Sequence, residues 1–447
     1  MAESRTVEFR CDVPVRHTVD VFVAGGGPAG LAAAVTAARQ GRHVFLAEGH
    51  TCFGGMGTAG LVPAMMSVGD GVHFLAGGFG KEVIDRLFAA KGAGPQDRPD
   101  SHACICVKVE VLKRIYDDMV LESGADFAFQ THLVAVETRD GHVEHVICAA
   151  KSGLFAVKAK IYVDGTGDGD LAAWAGAPFE KGDAQGRLMP GTLCSLWANV
   201  DWPVVWKSGL WPEAELPRAF PDKIFTREDR HLPGMWPVDE NIGGGNIGHA
   251  FDVDGTDERS VTQALLWSRK VILEYERFFK QYLKGYERMV LVGTGSLPGI
   301  RESRRIMGDY VLGLEDFKNR AVFADEIGRF SYPVDIHPLA ADEAAYAEYR
   351  DKWQNLRYKN GENYGIPYRT LVPRNVDNVL VAGRCVSTDR YVQGSIRVMP
   401  GCFITGQAAG MAAAIAVEED VDTRGISVPE LQRRLKKMGM FLPNFKG

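Results

Sequence analysis

The chain has 447 residues, a length that allows two or three domains, each with its own hydrophobic core. Hydrophobic residues make up 46% and charged residues 24% of the chain, which is typical of a globular protein and excludes a largely disordered one. The formal net charge of −6, without a lysine- or arginine-rich stripe, argues against a general nucleic-acid-binding protein.

No apolar segment of the secretory type stands at the N-terminus, and no apolar run is long enough to cross a bilayer. We therefore expect a cytoplasmic protein without a membrane partner. The eight cysteines include no C-x-x-C pair and do not form the pattern of a disulfide framework. Cys104 and Cys106 lack the spacing and the histidine pair of a zinc site, so we expect unlinked thiols there.

The first strongly patterned stretch, residues 19–48, predicts a strand, a glycine-rich turn, a helix and a second strand. Its glycines follow the G-x-G-x-x-G spacing, which combines a tight turn, close backbone approach to a pyrophosphate and close packing of helix on strand. The predicted cofactor contacts in this turn are Gly25, Gly27, Pro28, Ala29 and Gly30.

The predicted helix is alanine-rich and begins at Pro28, so its positive N-terminal end faces the phosphates. The second strand, residues 43–47, ends just before Glu48. An acid at this position accepts hydrogen bonds from the ribose hydroxyls of an adenosine. The unit therefore predicts a site for an adenine dinucleotide, and an NADP site would be expected to carry an arginine nearby.

A second glycine-rich loop follows Glu48 and reads TCFGGMGTAG. Its glycines would let backbone pass close to an extended ligand, and its threonine offers a hydroxyl and an amide. The candidate contacts are Gly54, Gly55, Met56, Gly57 and Thr58.

A second copy of the glycine spacing occurs at Gly243, Gly245 and Gly248. It follows the segment LPGMWPVDENI instead of an apolar strand. We therefore predict a loop at these glycines.

Helical periodicity predicts helices over residues 81–91 and 107–123, followed by successive strands with hairpin turns at Asp140-Gly141 and Ser152-Gly153. Beyond residue 178 tryptophans and prolines multiply, and a long amphipathic helix is predicted over residues 260–284. This change of character indicates an inserted substrate or cap domain. Within it, Asn246 and His249 either line a site or belong to a surface loop.

The segments VAGGGPAGLAAAVTAARQG and GGMGTAG, with the glutamate between them, resemble FAD-dependent oxidoreductases, the class that includes the flavoprotein subunits of fumarate reductase and succinate dehydrogenase. Within that class the chain is most similar to the broad "FAD-dependent oxidoreductase" family. The resemblance implies an α/β fold, with a Rossmann-like FAD-binding domain of the glutathione-reductase type and an inserted α+β cap domain. The implied boundaries are 1–177 and 366–447 for the two parts of the FAD domain and 178–365 for the cap and connecting segment.

Later segments resemble the same family and imply further cofactor contacts. VDGTGDGD returns the chain to the pyrophosphate, VLVAGRC brings contacts to the ribitol, and the following small-residue helix points its amides at the flavin. The implied residues are Val134 at the adenine, Gly165 and Asp168 near the pyrophosphate, Gly383 and Arg384 near the ribitol, and Gly406 at the flavin. The aspartates of VDGTGDGD lack the later glutamate of a calcium loop, so we predict no metal.

Three residues are candidates for catalysis. His337 lies in a D-x-H pattern that resembles the family's, and it is either a general base oriented by a carboxylate or a structural histidine. Arg301, in GIRESRRI, either holds the cap through Glu302, as Arg304 and Arg305 also can, or clamps an anion. Arg397 stands beside the helix expected to face the flavin.

The resemblance implies noncovalent FAD and hydride transfer between a small organic substrate and flavin N5, with an unknown electron donor or acceptor. Cys52 stands where some members of the wider class carry a covalent tether, but the matching family positions are usually not cysteine. The alternatives are a flavoprotein without net redox chemistry, such as a hydratase or isomerase, a flavin monooxygenase, and a non-catalytic binding or electron-transfer subunit. The monooxygenase is less favoured because Gly383-Arg384 replaces that family's late G-D pair.

Overall fold

The computed structural model describes residues 7–446. The strands are β1 (Val15–Ala24), β2 (Val44–Ala47), β3 (Ala64–Met65), β4 (Ile105–Cys106), β5 (Asp126–Ala128), β6 (His132–Arg139), β7 (His142–Ala150), β8 (Gly153–Asp164), β9 (Phe179–Lys181), β10 (Ser195–Ala198), β11 (Gly234–Asp239), β12 (Ile242–Asn246), β13 (Val290–Thr294), β14 (Arg304–Ile306), β15 (Glu326–Phe330), β16 (Tyr364–Pro367) and β17 (Val379–Val381). The helices are α1 (Pro28–Arg39), α2 (Phe79–Ala89), α3 (Val109–Ser123), α4 (Asp170–Trp174), α5 (Trp202–Ser208), α6 (Pro212–Ala219), α7 (Glu258–Tyr282), α8 (Leu314–Asn319), α9 (Glu343–Lys352), α10 (Arg390–Ile396), α11 (Met399–Glu419) and α12 (Val428–Lys437).

The central sheet is predominantly parallel and is built from both ends of the chain. Strands β5, β2, β1 and β8 pair in that order, all parallel. On its other side β8 pairs with the returning strand β17, also parallel, and with β7 of the antiparallel β6–β7 hairpin. The predicted α/β fold with a Rossmann-like domain is therefore confirmed, including the strand that returns from far along the sequence.

Helices α1 and α11 pack together at unusually short backbone distance. A Cβ atom at Gly406 would overlap the carbonyl oxygen of Ala29, and one at Gly410 would overlap that of Ala33. All residues of α11 from Met399 to Val417 are buried. In residues 7–446, α11 is the one helix with the length and apolar character to span a membrane, and its apolar part is buried inside the protein core.

The inserted segment forms a second hydrophobic core. Its antiparallel sheet has the order β11-β12-β10-β13, and α7 packs on it through Tyr275, Phe278 and Phe279. The carboxylate of Asp257 caps α7 by accepting hydrogen bonds from the first-turn amides of Arg259 and Ser260.

The prediction of a loop at Gly243 and Gly245 is wrong, because both residues lie in β12, the strand between β11 and β10. A Cβ at Gly244 would overlap Pro63, and one at Gly245 would lie 2.9 Å from Ser195 Oγ. The glycines let other residues pack directly on the strand backbone, a tertiary requirement that outweighs the low strand propensity of glycine. Gly248 lies beyond the end of β12 with a φ of +79°.

We expect Gly406→Ala to destabilise the protein by about 1–3 kcal/mol, because the added methyl group must push α11 away from α1. Urea unfolding measures the change. Gly293→Ala is the control, since a Cβ there meets no atom within 4 Å, and it should stay within about 0.5 kcal/mol of the wild type. Equal stability of the two variants would contradict the packing argument.

Candidate active site and dinucleotide groove

The glycine turn after β1 has the geometry of a phosphate cradle. Gly25 has a φ of +86°, and a Cβ there would lie 2.8 Å from the carbonyl oxygen of Gly165. Gly27 caps α1 without a side-chain hydrogen bond, and a Cβ at Gly27 would point into open space. The free amides of the first turn of α1, which begins with Pro28, Ala29 and Gly30, are therefore open to an anionic ligand.

Glu48 is buried and its carboxylate is held in a fixed orientation. One oxygen accepts a hydrogen bond from the amide of Gly26 at 2.6 Å, and the other accepts one from the amide of His50 at 2.7 Å. Each carboxylate oxygen retains a further lone pair. The side chain can therefore still accept the hydroxyls of a ribose.

The second glycine loop lies directly against the turn. A Cβ at Gly55 would be 3.2 Å from the Cα atom of Gly27, and one at Gly57 would be 2.6 Å from Met399 Sδ. The loop therefore connects the phosphate cradle with the N-terminus of α11. Thr58 is buried and its hydroxyl donates to the carbonyl oxygen of Phe53, so this hydroxyl has a structural partner.

The loop also contains Met56 and Gly54, the latter with a φ of +100°. Cys52 Sγ lies 3.8 Å from Thr58 Oγ1. Noncovalent attachment of the cofactor stays a prediction.

Predicted residues from distant segments converge on the same end of the sheet. A Cβ at Gly165 would lie 2.8 Å from the Cα atom of Gly30, and one at Gly383 would lie 2.9 Å from Ala29 Cβ. The guanidinium of Arg384 donates to Asp168 Oδ1 at 2.7 Å and to Ser303 Oγ at 2.8 Å. The ion pair fixes these two predicted residues close to the glycine turn. The glycine turn, Glu48 and the second glycine loop are together called the dinucleotide groove.

The last two predicted contacts are Val134 and Gly406. Val134 is 44% exposed on β6, two residues beyond His132, and its contact with the adenine stays a prediction. Gly406 lies in the interior of α11 against the backbone of Ala29, where its missing side chain serves helix packing.

The residues that do lie beside Glu48 follow the carboxyl end of β5. The amide of Thr131 donates to the carbonyl oxygen of Glu48 at 2.9 Å, and the His132 ring packs against Gly49. Thr131 and His132 were not predicted from the sequence. The sequence feature that could have indicated them is their place just beyond the carboxyl end of a parallel strand.

Two of the catalytic candidates, His337 and Arg397, meet at one carboxylate, beside residues of the inserted segment. His337 is buried, and its Nδ1 lies 3.0 Å from Nε2 of His249. Its Nε2 lies 3.5 Å from an oxygen of Asp335. Arg397 donates to the side chain and the backbone carbonyl of Asp335, both at 2.9 Å. His337 and Arg397 are thus joined through one carboxylate.

The cap extends this chain of polar groups. His249 Nδ1 lies 2.9 Å from Asp229 Oδ2, and the His231 ring lies 4.8 Å from that of His337, centroid to centroid. His231 in turn lies 3.2 Å from the carboxylate of Glu213. Asp229 and His231 were missed from the sequence because only the folding of the cap brings them near His337.

Burial sets the charge of these groups. Burial, and then the positive charge of Arg301, lowers the pKa of His337 well below its ordinary value. Burial also lowers the pKa of His249. Burial alone would raise the pKa of Asp335, but the His337 ring and Arg397 outweigh it and hold that pKa well below its usual range. At neutral pH the cluster therefore contains neutral imidazoles beside an ionised carboxylate.

No three His, Cys, Asp or Glu side chains within residues 7–446 are arranged to hold a metal ion. In the histidine cluster, His249 and His337 turn ring nitrogens towards each other at hydrogen-bond distance.

The arginines of GIRESRRI have different partners. Arg305 forms an ion pair with Glu302 at 2.8 Å, and Arg304 forms one with Asp170 at 2.6 Å. Arg301 instead donates only to neutral oxygens, those of Pro190, Thr192 and Asn246. Two of the three therefore hold structure together, while Arg301 is left with an unpaired charge.

An oriented acid beside a cradle of free amides, with a polar cluster around His337 linked through Asp335 and Arg397 to the start of α11, defines a dinucleotide-binding protein with a buried polar site. The chain matches the model of the family described as "FAD dependent oxidoreductase" over residues 20–435. It therefore belongs to that family, it is an enzyme of the FAD-dependent oxidoreductase class, and its cofactor is FAD. The predicted family and cofactor are confirmed.

No curated protein sequence gives a significant match. Solved structures with a similar overall shape include a geranylgeranyl bacteriochlorophyll reductase-like protein from Thermoplasma acidophilum, with 14% identity, coverage of 94% of this chain and 83% of that one, and a TM-score of 0.46. A second is p-nitrophenol 4-monooxygenase PnpA from Pseudomonas putida DLL-E4, with 13% identity, coverage of 95% of this chain and 86% of that one, and a TM-score of 0.47. A third is the flavin-dependent brominase Bmp2, with 12% identity, coverage of 94% of this chain and 83% of that one, and a TM-score of 0.46. Likenesses at this level carry no argument about the reaction.

We expect Glu48→Gln to weaken FAD binding about tenfold to a hundredfold, because an amide replaces a charged acceptor. Titration of the apoprotein with FAD, followed by flavin fluorescence, measures the dissociation constant. The control is Glu82→Gln, which removes a surface partner of Arg39. An unchanged affinity in Glu48→Gln would show that this acid does not hold the ribose.

Proposed function

We propose that the protein oxidises or reduces a small organic molecule by transferring a hydride between a substrate carbon and N5 of the flavin. His337 removes or returns the proton that accompanies the hydride. The observation that carries this proposal is the buried, neutral His337 ring, held between His249 and Asp335. Bound FAD supplies the hydride chemistry, and the protein supplies orientation, exclusion of water and the proton transfer.

The residues that would hold the cofactor follow from the groove. The first turn of α1 binds the pyrophosphate, Glu48 binds the ribose, and the loop at Gly55–Gly57 leads towards the N-terminus of α11. Arg397 and Asp335 then connect that helix end with His337.

The histidine pair can accept a proton without moving. Three positions along the chain can hold an N–H group: between His249 Nδ1 and Asp229, whose 2.9 Å contact lacks hydrogen-bond geometry, between the two rings at 3.0 Å, and between His337 Nε2 and Asp335 at 3.5 Å. Two neutral imidazoles carry only two such protons. A third proton, taken from the substrate, fills all three positions and places the imidazolium charge between two carboxylates. This arrangement favours His337 as a general base in oxidation and as a general acid in reduction.

Asp335 has a separate orienting role. Its carboxylate is fixed by Arg397 and stays ionised, so it stabilises the charged form of His337. Oxidation would remove a hydride from a C–H group and a proton from the attached O–H or N–H group, which passes to His337. Reduction reverses both transfers. A small-molecule substrate, a separate electron donor or acceptor and a cytoplasmic location remain parts of this proposal.

The purified protein is expected to be yellow, and a substrate should bleach the flavin absorbance when it is added without oxygen. Anaerobic screening of organic substrates by absorption spectroscopy tests this. A need for both a nicotinamide donor and oxygen would favour a monooxygenase, and turnover without any bleaching would favour a flavoprotein without net redox chemistry. A colourless protein that cannot be reconstituted with FAD would contradict the proposal.

We expect His337→Gln to slow flavin reduction by about 10²–10⁴-fold, the usual contribution of a general base, with little change in FAD content. In the wild type the lowered pKa of His337 keeps the base neutral, so the rate should stay level through pH 7 and fall only on the acid side of the ordinary histidine pKa of about 6.5. Stopped-flow reduction across pH measures both effects.

The matched control is His142→Gln, which removes a surface histidine paired with Asp422 and should leave the rate unchanged. Asp229→Asn should move the acid limb of the profile to lower pH, because the carboxylate favours the protonated histidine pair. A pH profile unaffected by Asp229→Asn, together with a full rate in His337→Gln, would exclude the relay.

A further inference from the structure

Arg301 differs from the other buried arginines of the protein. Within residues 7–446 three arginines are buried, namely Arg301, Arg305 and Arg329, with exposed fractions of 8%, 3% and 5%. Arg305 pairs with Glu302 at 2.8 Å and Arg329 pairs with Glu326 at 2.5 Å. Arg301 has no carboxylate within 4 Å in the described part of the chain.

The partners of Arg301 fix its position but include no carboxylate, and Asp335, which pairs directly with Arg397, attracts the charge of Arg301 only from beyond 4 Å. Nη1 donates to the carbonyl oxygen of Pro190 and to Thr192 Oγ1, both at 2.8 Å, and Nη2 donates to Asn246 Oδ1 at 3.1 Å. A guanidinium has five N–H groups, so Nε–H and the second hydrogen of Nη2 remain available. A buried charge without a counterion is costly, and proteins keep one where a ligand completes it.

The position of Arg301 links it to the proposed reaction site. Thr192 and Gly299 exchange backbone hydrogen bonds, and a Cβ at Gly299 would lie 3.5 Å from the end of Met56, in the second glycine loop. On its other side, Asn246 precedes His249 by three residues. Arg301 thus lies between the loop of the cofactor groove and the histidine pair.

We propose that Arg301 binds the carboxylate of the substrate, so that the enzyme acts on small organic acids. The term substrate rests on the proposed function, whereas the anion site itself does not. The planar guanidinium presents donors that match the two oxygens of a carboxylate. A monoanion balances the single unpaired charge, whereas a phosphate dianion would leave an excess of negative charge.

The test uses the FAD-bound protein and two pairs of probes, benzoate with benzamide and acetate with acetamide, at constant ionic strength. We expect saturable changes in the flavin spectrum with at least one carboxylate and none with its neutral amide. Arg301→Gln should weaken that binding more than tenfold, and Arg301→Lys should restore part of it. Failure of both carboxylates to bind the wild type at tens of millimolar, or equal binding to Arg301→Gln, would overturn the proposal.

Thermal unfolding gives a readout that does not depend on activity. Arg301→Gln should lose less thermal stability than Arg305→Gln, because it leaves only neutral acceptors without their donor. Arg305→Gln should unfold at a clearly lower temperature, because it leaves the buried Glu302 with Arg390 as its one remaining arginine partner. A comparable loss in both variants would mean that Arg301 is structural and would overturn the proposal.

Two further outcomes separate this site from other roles. If Arg301→Gln lowers the flavin reduction potential while carboxylate affinity is unchanged, Arg301 serves the flavin and the proposal fails. If carboxylates bind through Arg301 but no organic acid reduces or reoxidises the flavin, the anion site stands and the proposed hydride transfer fails.

Discussion

The structure depends on the close backbone contact between the glycine turn after β1 and the segments that return to it. Gly30 has no room for a side chain beside the carbonyl oxygen of Gly25, and Gly165 lies directly against Gly30. On the far side of α1, Gly406 and Gly410 bring α11 against the same helix. Since these contacts join the first and last parts of the chain, they also bring the N-terminus of α11 close to the glycine turn and the second glycine loop.

A second constraint acts where the cap meets this domain. Asp335 and His337 alternate with Val334 and Ile336, which pack in the main core, whereas Asp229 and His249 belong to the inserted segment. Arg397, between α10 and α11, pairs with Asp335. Removing this cluster from water keeps the histidines neutral and makes each carboxylate contact strong. The contacts that bring these residues together therefore also set their protonation.

The sequence was most informative where local geometry follows from residue type. The turn at Gly25–Gly30, the acid at Glu48, and the predicted helices over residues 81–91, 107–123 and 260–284 all agree with the structure, the helices to within two residues. The prediction of a loop near residue 243 was wrong, because residues distant in sequence pack on the backbone of these glycines and hold them in a strand. For the same reason Asp229 and His231 carried no local signal, since a loop residue becomes part of a site only through tertiary contacts.

A crystal structure of the protein with bound FAD tests most directly whether the flavin lies beside the buried histidine pair. We expect the adenosine at Glu48, the pyrophosphate over the first turn of α1, and the flavin ring between Met399 and the cluster that contains His337. A flavin ring bound away from His337, with the space under the cap unused, would contradict this expectation.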